Sequence, residues 1–269
     1  MRIAYLLYEQ KDAALNHAFI TQLQQAARTQ KVDLQLKISE HFEPIGEQPL
    51  FVWNRTRNHT IAAQFEARGI RVFNNSKTNK LANDKLLAQH HVKALGIPAI
   101  ESFTERPQTL DFPFIVKSVD GHGGKEVFLC EDEAQHDVAI GQLQTVIYQP
   151  YIESNSTDVR LWMLGKDVLA AVKRIGQNSF KSNYTLGGTI ERFDVPKELA
   201  QSARRIADSL QSNYIGIDFI LGADGQFYFN ELEDPVGARS YYALYDGDLP
   251  GILIDCICRS LGDVSYDAE

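Results

Sequence analysis

The chain has 269 residues, 44% hydrophobic and 23% charged, with a formal net charge of -8. That length supports one large lobe or two to three small ones, and the acidic balance argues against a general nucleic-acid binder, so any phosphate chemistry must rest on local cations. The longest apolar stretch, around Ile3–Leu7, is too short to span a bilayer and reads as a first strand rather than a signal peptide, as expected of a cytoplasmic protein. Cys130, Cys256 and Cys258 lack metal-type spacing beyond one Cys-x-Cys and read as free thiols in a reducing cytosol.

In chain order, Arg2–Tyr8 predicts a strand, and the apolar spacing of Leu15, Ala18, Phe19, Leu23 and Ala26 predicts a helix over 13–30. Strands follow at 32–38, 49–53 and 70–73, with a helix at 61–68 ended by Gly69. This β-α-β-β-α-β order implies a small α/β domain with a mostly parallel sheet. A second unit starts near Asn74. It has a helix at 81–95 stopped by Gly96-Ile-Pro98, a strand at 112–117, a glycine loop, a strand at 126–130, a helix at 133–143 and a short strand at 146–149. Strands at 159–164 and 167–174 lead through a polar loop over 175–190 to a helix at 197–211. A hairpin and a tail helix near 249–261 close the chain.

The hairpin carries the most chemistry. Tyr214–Leu221 and Gln226–Glu233 flank Gly222-Ala-Asp-Gly225, a turn composition suited to antiparallel strands. A tight turn closing Leu221 onto Gln226 pairs even positions with odd ones, which places Asp218 on one face with Glu231 and Glu233. Three carboxylates on one patch repel unless something positive lies between them, and a divalent metal is the natural candidate.

Upstream, Asp120-Gly-His-Gly-Gly-Lys125 is not a Walker loop, because a strand-like run follows it where a helix is required. It reads either as an ordinary glycine hairpin or as a flap whose N–H groups fold over phosphates. Lys117, ending an apolar strand before the flap, either snorkels or reaches a phosphate, and Lys85 is either a solvated helix lysine or a second such group. Val146–Ile152 is a core strand or a connector offering backbone groups to a purine edge. Arg160, Lys173 and Arg174 on strands beside a Ser/Asn/Gly loop suit anion recognition. Arg55 and Arg57 follow a strand end where open sheets present ligand loops. They read equally as substrate-carboxylate ligands or as plain surface.

Taken in order, Asn83-Asp-Lys85, Phe112–Lys117, Tyr148-Gln-Pro-Tyr-Ile152, Asp158-Val-Arg160, Phe180-Lys-Ser-Asn183 and Gly216-Ile-Asp218 resemble the ATP-grasp superfamily. The closest likeness is to the RimK-like carboxylate–amine ligases, the group of the ribosomal-protein glutamate ligase, lysine-biosynthesis ligases and relatives of glutathione synthetase. The resemblance covers nearly the whole chain. It implies an α/β ATP-grasp fold with a small N-terminal pre-ATP-grasp α/β domain over 1–75. Two α+β lobes would clasp ATP, a small lid lobe over 76–150 and a large C-terminal lobe over 151–269.

By the same resemblance Lys85 and Lys117 bind ATP phosphates under a flap containing Gly121, His122, Gly123 and Gly124. Gln149, Pro150, Tyr151 and Ile152 hold adenine, and Asp158 is the ribose-side acid. Lys181, Ser182 and Asn183 contact nucleotide near the reacting phosphate. Arg160, Arg174 and Lys117 are the catalytic cations, and Asp218, Glu231 and Glu233 hold two Mg2+ ions, for which Mn2+ would substitute. Gly187, Gly188 and Arg239 join Arg55 and Arg57 as substrate-side candidates. The implied partners are small-molecule or peptide carboxylates and amines, with no nucleic acid and no membrane; a homo-oligomer is compatible with this. Two positions depart from the family pattern. Glu233 stands where asparagine is usual, which makes the metal site more anionic and alters its relation to Arg239. Pro150 stands where glutamate is usual and has no N–H, so only its carbonyl can face adenine. A regulatory nucleotide-binding module and a phosphotransferase are the competing functions.

Overall fold

The computed structural model describes residues 1–42, 48–177 and 188–262. The first unit is a four-stranded parallel sheet of order β2-β1-β3-β4, built from β1 (Arg2–Tyr8), β2 (Val32–Ile38), β3 (Val52–Asn54) and β4 (Val72–Phe73). The near-continuous apolar run of β1 is buried on both faces, as a parallel sheet between helices requires. The expected helix over 13–30 is two helices, α1 (Gln10–Leu15) and α2 (His17–Thr29). Asn16 separates them, its backbone leaving the helical range at φ -111° and ψ 16° while its side-chain amide joins its own N–H on the Asp12 carbonyl at 2.7 Å. On the far face, α3 (His59–Glu66) is capped by Asn58, which accepts from Thr60 N and Ile61 N.

The expected helix over 81–95 is also broken, into α4 (Ser76–Ala82) and α5 (Lys85–Ala94). Asp84 caps α5 by accepting from Leu87 N, and this makes Lys85 the first residue of a helix. A three-stranded antiparallel sheet follows, order β6-β5-β7, from β5 (Phe114–Ser118), β6 (Val127–Cys130) and β7 (Val146–Pro150), with α6 (Glu133–Ile140) packed on it. The third sheet has the order β10-β9-β8-β11-β12. Its strands are β8 (Thr157–Leu164), β9 (Asp167–Ile175), β10 (Thr189–Arg192), β11 (Tyr214–Leu221) and β12 (Phe227–Glu233). β10 extends the sheet, beginning at the end of the segment expected to be loop over 175–190. It is an exposed edge strand without apolar alternation, so nothing in its sequence announces it.

Helix α7 (Lys197–Leu210) buries Leu199, Ala203, Ile206, Ala207 and Leu210 against one face of this sheet, where α5 adds Ala88 and Val92. The other face meets the N-terminal unit. Trp162, Val172 and Tyr214 share a core with β1, α2, α8 (Arg239–Leu244) and α9 (Leu249–Ser260). Large side chains buried here, Trp162 and Tyr8 among them, contribute about 1.5–3 kcal/mol each. Among the described residues no helix is long and apolar enough to cross a membrane.

Candidate active site

The hairpin closes one residue later than its turn composition suggests. Gly222 N donates to the Gln226 carbonyl at 2.9 Å, so Gln226 belongs to the turn and Leu221 pairs with Phe227. Carried on unbroken, that register would set Asp218 opposite Asn230. A β-bulge intervenes, and Asp218 pairs with Glu231 and Gly216 with Glu233. Along β12, Phe229 and Leu232 both enter the core, whereas Asn230, Glu231 and Glu233 line the clefts beside it. The expected convergence of the three acids is therefore present by a different route, and the bulge adds Asn230, which sequence periodicity could not supply. Gly216 allows the close approach: a Cβ there would lie 2.7 Å from Val236 Cγ2 and 3.1 Å from Glu233 Cβ.

One oxygen each of Asp218, Glu231 and Glu233 lie within 4.8 Å of one another. The positive charge between them is already partly protein. Arg160, opposite Asp218 on β8, donates Nε to Oδ1 at 2.7 Å and NH2 to Oδ2 at 2.6 Å, and reaches Glu233 Oε1 at 2.6 Å. Arg174, opposite Asp158, donates to both Asp158 oxygens at 2.5 and 2.6 Å and to Asp218 Oδ2 at 2.7 Å. Repulsion alone thus does not demand a metal. The oxygen-only donor set of the three acids nevertheless fits a hard cation such as Mg2+ or Mn2+. Burial works against ionising Asp218, but Arg160 and Arg174 hold its carboxyl below the usual range. Glu231 is pushed up by burial, opposed by Lys85 and assisted by Glu233 and Asp218. Asp158, the expected ribose-side acid, has both carboxylate oxygens on Arg174. Glu233 pairs with Arg160, while Arg239 is exposed.

A cleft of about 900 Å³ lies between the three-stranded sheet and the five-stranded one, and its lining includes Lys85, Lys117, Gly121–Gly124, Gln149–Ile152 and Asp158. Lys85 is buried and its ammonium donates to the Gly121 carbonyl at the base of the flap. Lys117 is buried too, donates to Asn230 Oδ1 at 3.2 Å, and has its pKa lowered to about 8 by burial, with Glu231 pulling up and Lys85 down. In the flap, Gly123 and Gly124 take φ of 68° and 71°, a left-handed conformation that disfavours other residues. Gln149 is buried, its side-chain amide donating to Ser102 Oγ at 2.7 Å. Ile100, Ile115, Val127, Ile152 and Ile220 supply apolar walls for a planar ring.

A second cleft of about 1420 Å³ opens between the N-terminal sheet and residues 231–240. Arg55, Arg57 and Arg239 line it, and it shares Lys85, His122, Gly123, Arg174 and Glu231 with the first. Arg55 is not surface: its NH2 donates to the Val236 carbonyl at 2.9 Å and its Nε to Tyr8 OH at 3.3 Å. Arg57 is partly exposed and pairs with Asp12 at 3.1 Å. The loop after Glu233 is tied down from outside itself. Asp234 accepts from Asn74 at 3.1 Å and Asn79 at 2.9 Å, its carbonyl accepts from Asn83 at 2.8 Å, and Trp162 Nε1 donates to the Gly237 carbonyl at 3.0 Å. Of these anchors only Asn83 stood in a sequence motif, without this role; scattered asparagines carry no signal until the fold gathers them. Gly188 precedes β10 and lines neither cleft, and Lys181, Ser182, Asn183 and Gly187 lie outside the described residues.

Residues 77–257 match the model of the RimK-like ATP-grasp domain. The chain belongs to that family. An uncharacterized protein of Mycoplasma genitalium is 27% identical over 252 residues, covering 90% of this chain and 88% of its own. A probable alpha-L-glutamate ligase of Azotobacter vinelandii is 27% identical over 211 residues, covering 72% of this chain and 69% of its own. Among solved structures, the ATP-grasp ligase PsnB, complexed with a phosphomimetic precursor variant, Mg and ADP, superposes with a TM-score of 0.71 at 16% identity, covering 95% of this chain and 97% of that one. The fold is ATP-grasp, and kinship makes the chain an ATP-grasp ligase of the carbon–nitrogen bond-forming type, a family that uses ATP with Mg2+.

Proposed function

We propose that this chain joins a carboxylate to an amine through an acyl phosphate, releasing ADP and phosphate. One observation carries the reading: two clefts of distinct character meet at Lys85, Arg174 and Glu231. A regulatory module needs only the first cleft. A ligase needs a nucleotide site and an acid-plus-amine site that touch where the phosphoryl group moves.

Bound with Mg2+ at Asp218, Glu231 and Glu233, ATP would supply the phosphoryl group that turns a carboxylate into a mixed anhydride with phosphate as its leaving group. The protein's own work is positioning and charge neutralisation. Lys85 and Lys117 neutralise phosphate charge from the α5 start and the β5 end. Gln149–Ile152 hold the purine edge through backbone groups, with the Pro150 carbonyl as acceptor. Arg160 and Arg174 stand where charge gathers on the reacting oxygens, and the flap at 121–124 excludes water. Arg57 and Arg239, on opposite walls of the second cleft, are the groups best placed to grip substrate charge. The division into 1–75, 76–150 and 151–269, two metal ions, and roles for Lys181, Ser182, Asn183, Gly187 and Gly188 belong to this reading, although α5 packs on β12 of the large sheet.

ADP release from purified protein, screened over amino acids and peptides as acid and amine, tests the proposal. A ligase releases ADP and phosphate with both substrates present. A binding module releases neither, and a phosphotransferase leaves a stable phosphorylated product.

A further inference from the structure

This inference deepens the ligase reading and rests on it. It concerns which carboxylate oxygens the arginines have already taken. Asp218 is fully buried, with Oδ1 on Arg160 Nε and Oδ2 on both Arg160 NH2 and Arg174 NH2. Glu233 gives only Oε1 to Arg160. Glu231 lines both clefts and among the described residues accepts no hydrogen bond. A cation can therefore reach Glu231 and the second oxygen of Glu233 without disturbing the protein. To use Asp218 it must displace or share a bidentate guanidinium, leaving a buried cation short of a partner.

We propose that Arg160 and Arg174 withhold Asp218 from cation binding until nucleotide phosphates draw them off, so that one divalent ion binds through Glu231 and Glu233 alone and a second binds only together with nucleotide. Both arginines can make the exchange. Arg174 lines both clefts and Arg160 the second, and a guanidinium fits phosphate as well as it fits carboxylate. Glu233 matters here for its charge. It binds Arg160 through one oxygen and keeps the other for the ion, a division a neutral amide oxygen could not make. Coupling of this kind is reciprocal, so nucleotide tightens cation binding and the cation tightens nucleotide binding.

The test counts bound Mn2+ by electron paramagnetic resonance, with and without a non-hydrolysable ATP analogue whose own binding is followed by calorimetry. One Mn2+ per chain is expected without analogue and two with it. Asp218→Asn should weaken the second ion by at least about tenfold more than the first, while Glu231→Gln should remove the nucleotide-free ion. Circular dichroism checks the variants' fold, and if Asp218→Asn unfolds, the two wild-type titrations decide alone. Two ions without analogue, no ion without analogue, or an equal weakening of both ions in a folded Asp218→Asn would each overturn the inference and leave the ligase reading standing. Failure of the analogue to bind at all would instead overturn the ligase reading, and this inference with it.

Discussion

Lys117 shows how one buried residue couples the site to pH. Burial lowers its pKa to about 8, so near neutrality it is still mostly an ammonium facing Asn230 in the first cleft. Binding a polyanion favours the protonated form. Nucleotide affinity should therefore fall as pH rises through the lowered value, by up to about tenfold per pH unit, and calorimetry of Lys117→Met should show that limb gone. Glu231 lies at the junction of the clefts. Glu231→Gln should cut turnover by on the order of a hundredfold or more while barely moving the melting temperature, since the amide keeps the side chain's size. An unchanged rate would sink the metal assignment. These residues were legible because an acid or a lysine on an apolar strand stands out by type. Asn230 and the Asn74 and Asn79 anchors were not, and Asn83 was legible only as part of a motif, since an asparagine's role does not show until a bulge or a loop turns it toward a partner.

At the scale of elements, the hairpin reached the expected face by two shifts that cancel. The turn absorbs Gln226, and the bulge restores odd-with-even pairing at the acidic end. Gly216→Ala tests this packing: its methyl must push against Val236 and Glu233, costing about 1–3 kcal/mol in denaturant unfolding and weakening Mn2+ binding along with it. Asp234→Ala should cost about 1–3 kcal/mol for each amide hydrogen of Asn74 and Asn79 left unpaired. Most strands were legible from apolar runs and alternation. The two helix breaks were not, because Asn16 and the Asn83–Asp84 pair leave helical backbone angles without disturbing apolar periodicity. The second break has a functional consequence, since it sets Lys85 at a helix start beside the flap. The edge strand β10 had no apolar pattern to betray it.

At the scale of the whole molecule, the site is an agreement among three sheets. The three-stranded sheet brings Lys117 and the flap, and the five-stranded sheet brings the acids and arginines. The N-terminal unit closes the second cleft through Arg55, and Asn74, Asn79 and Asn83 fix its floor around Asp234. Long-range assembly of this kind is invisible to local patterning, and the chain order of motifs stood in for it only through family resemblance. A non-hydrolysable ATP analogue at a hundred times its Kd should raise the melting temperature by roughly 5–10 °C, because the lobes it bridges must part on unfolding. The central claim is that ATP activates a carboxylate in the cleft where the sheets meet. Turnover with an oxygen-18-labelled carboxylate substrate, read by phosphorus NMR, tests it most directly. The account predicts label in the released phosphate, carried there when the acyl phosphate breaks at its carbonyl carbon; unlabelled phosphate would contradict it.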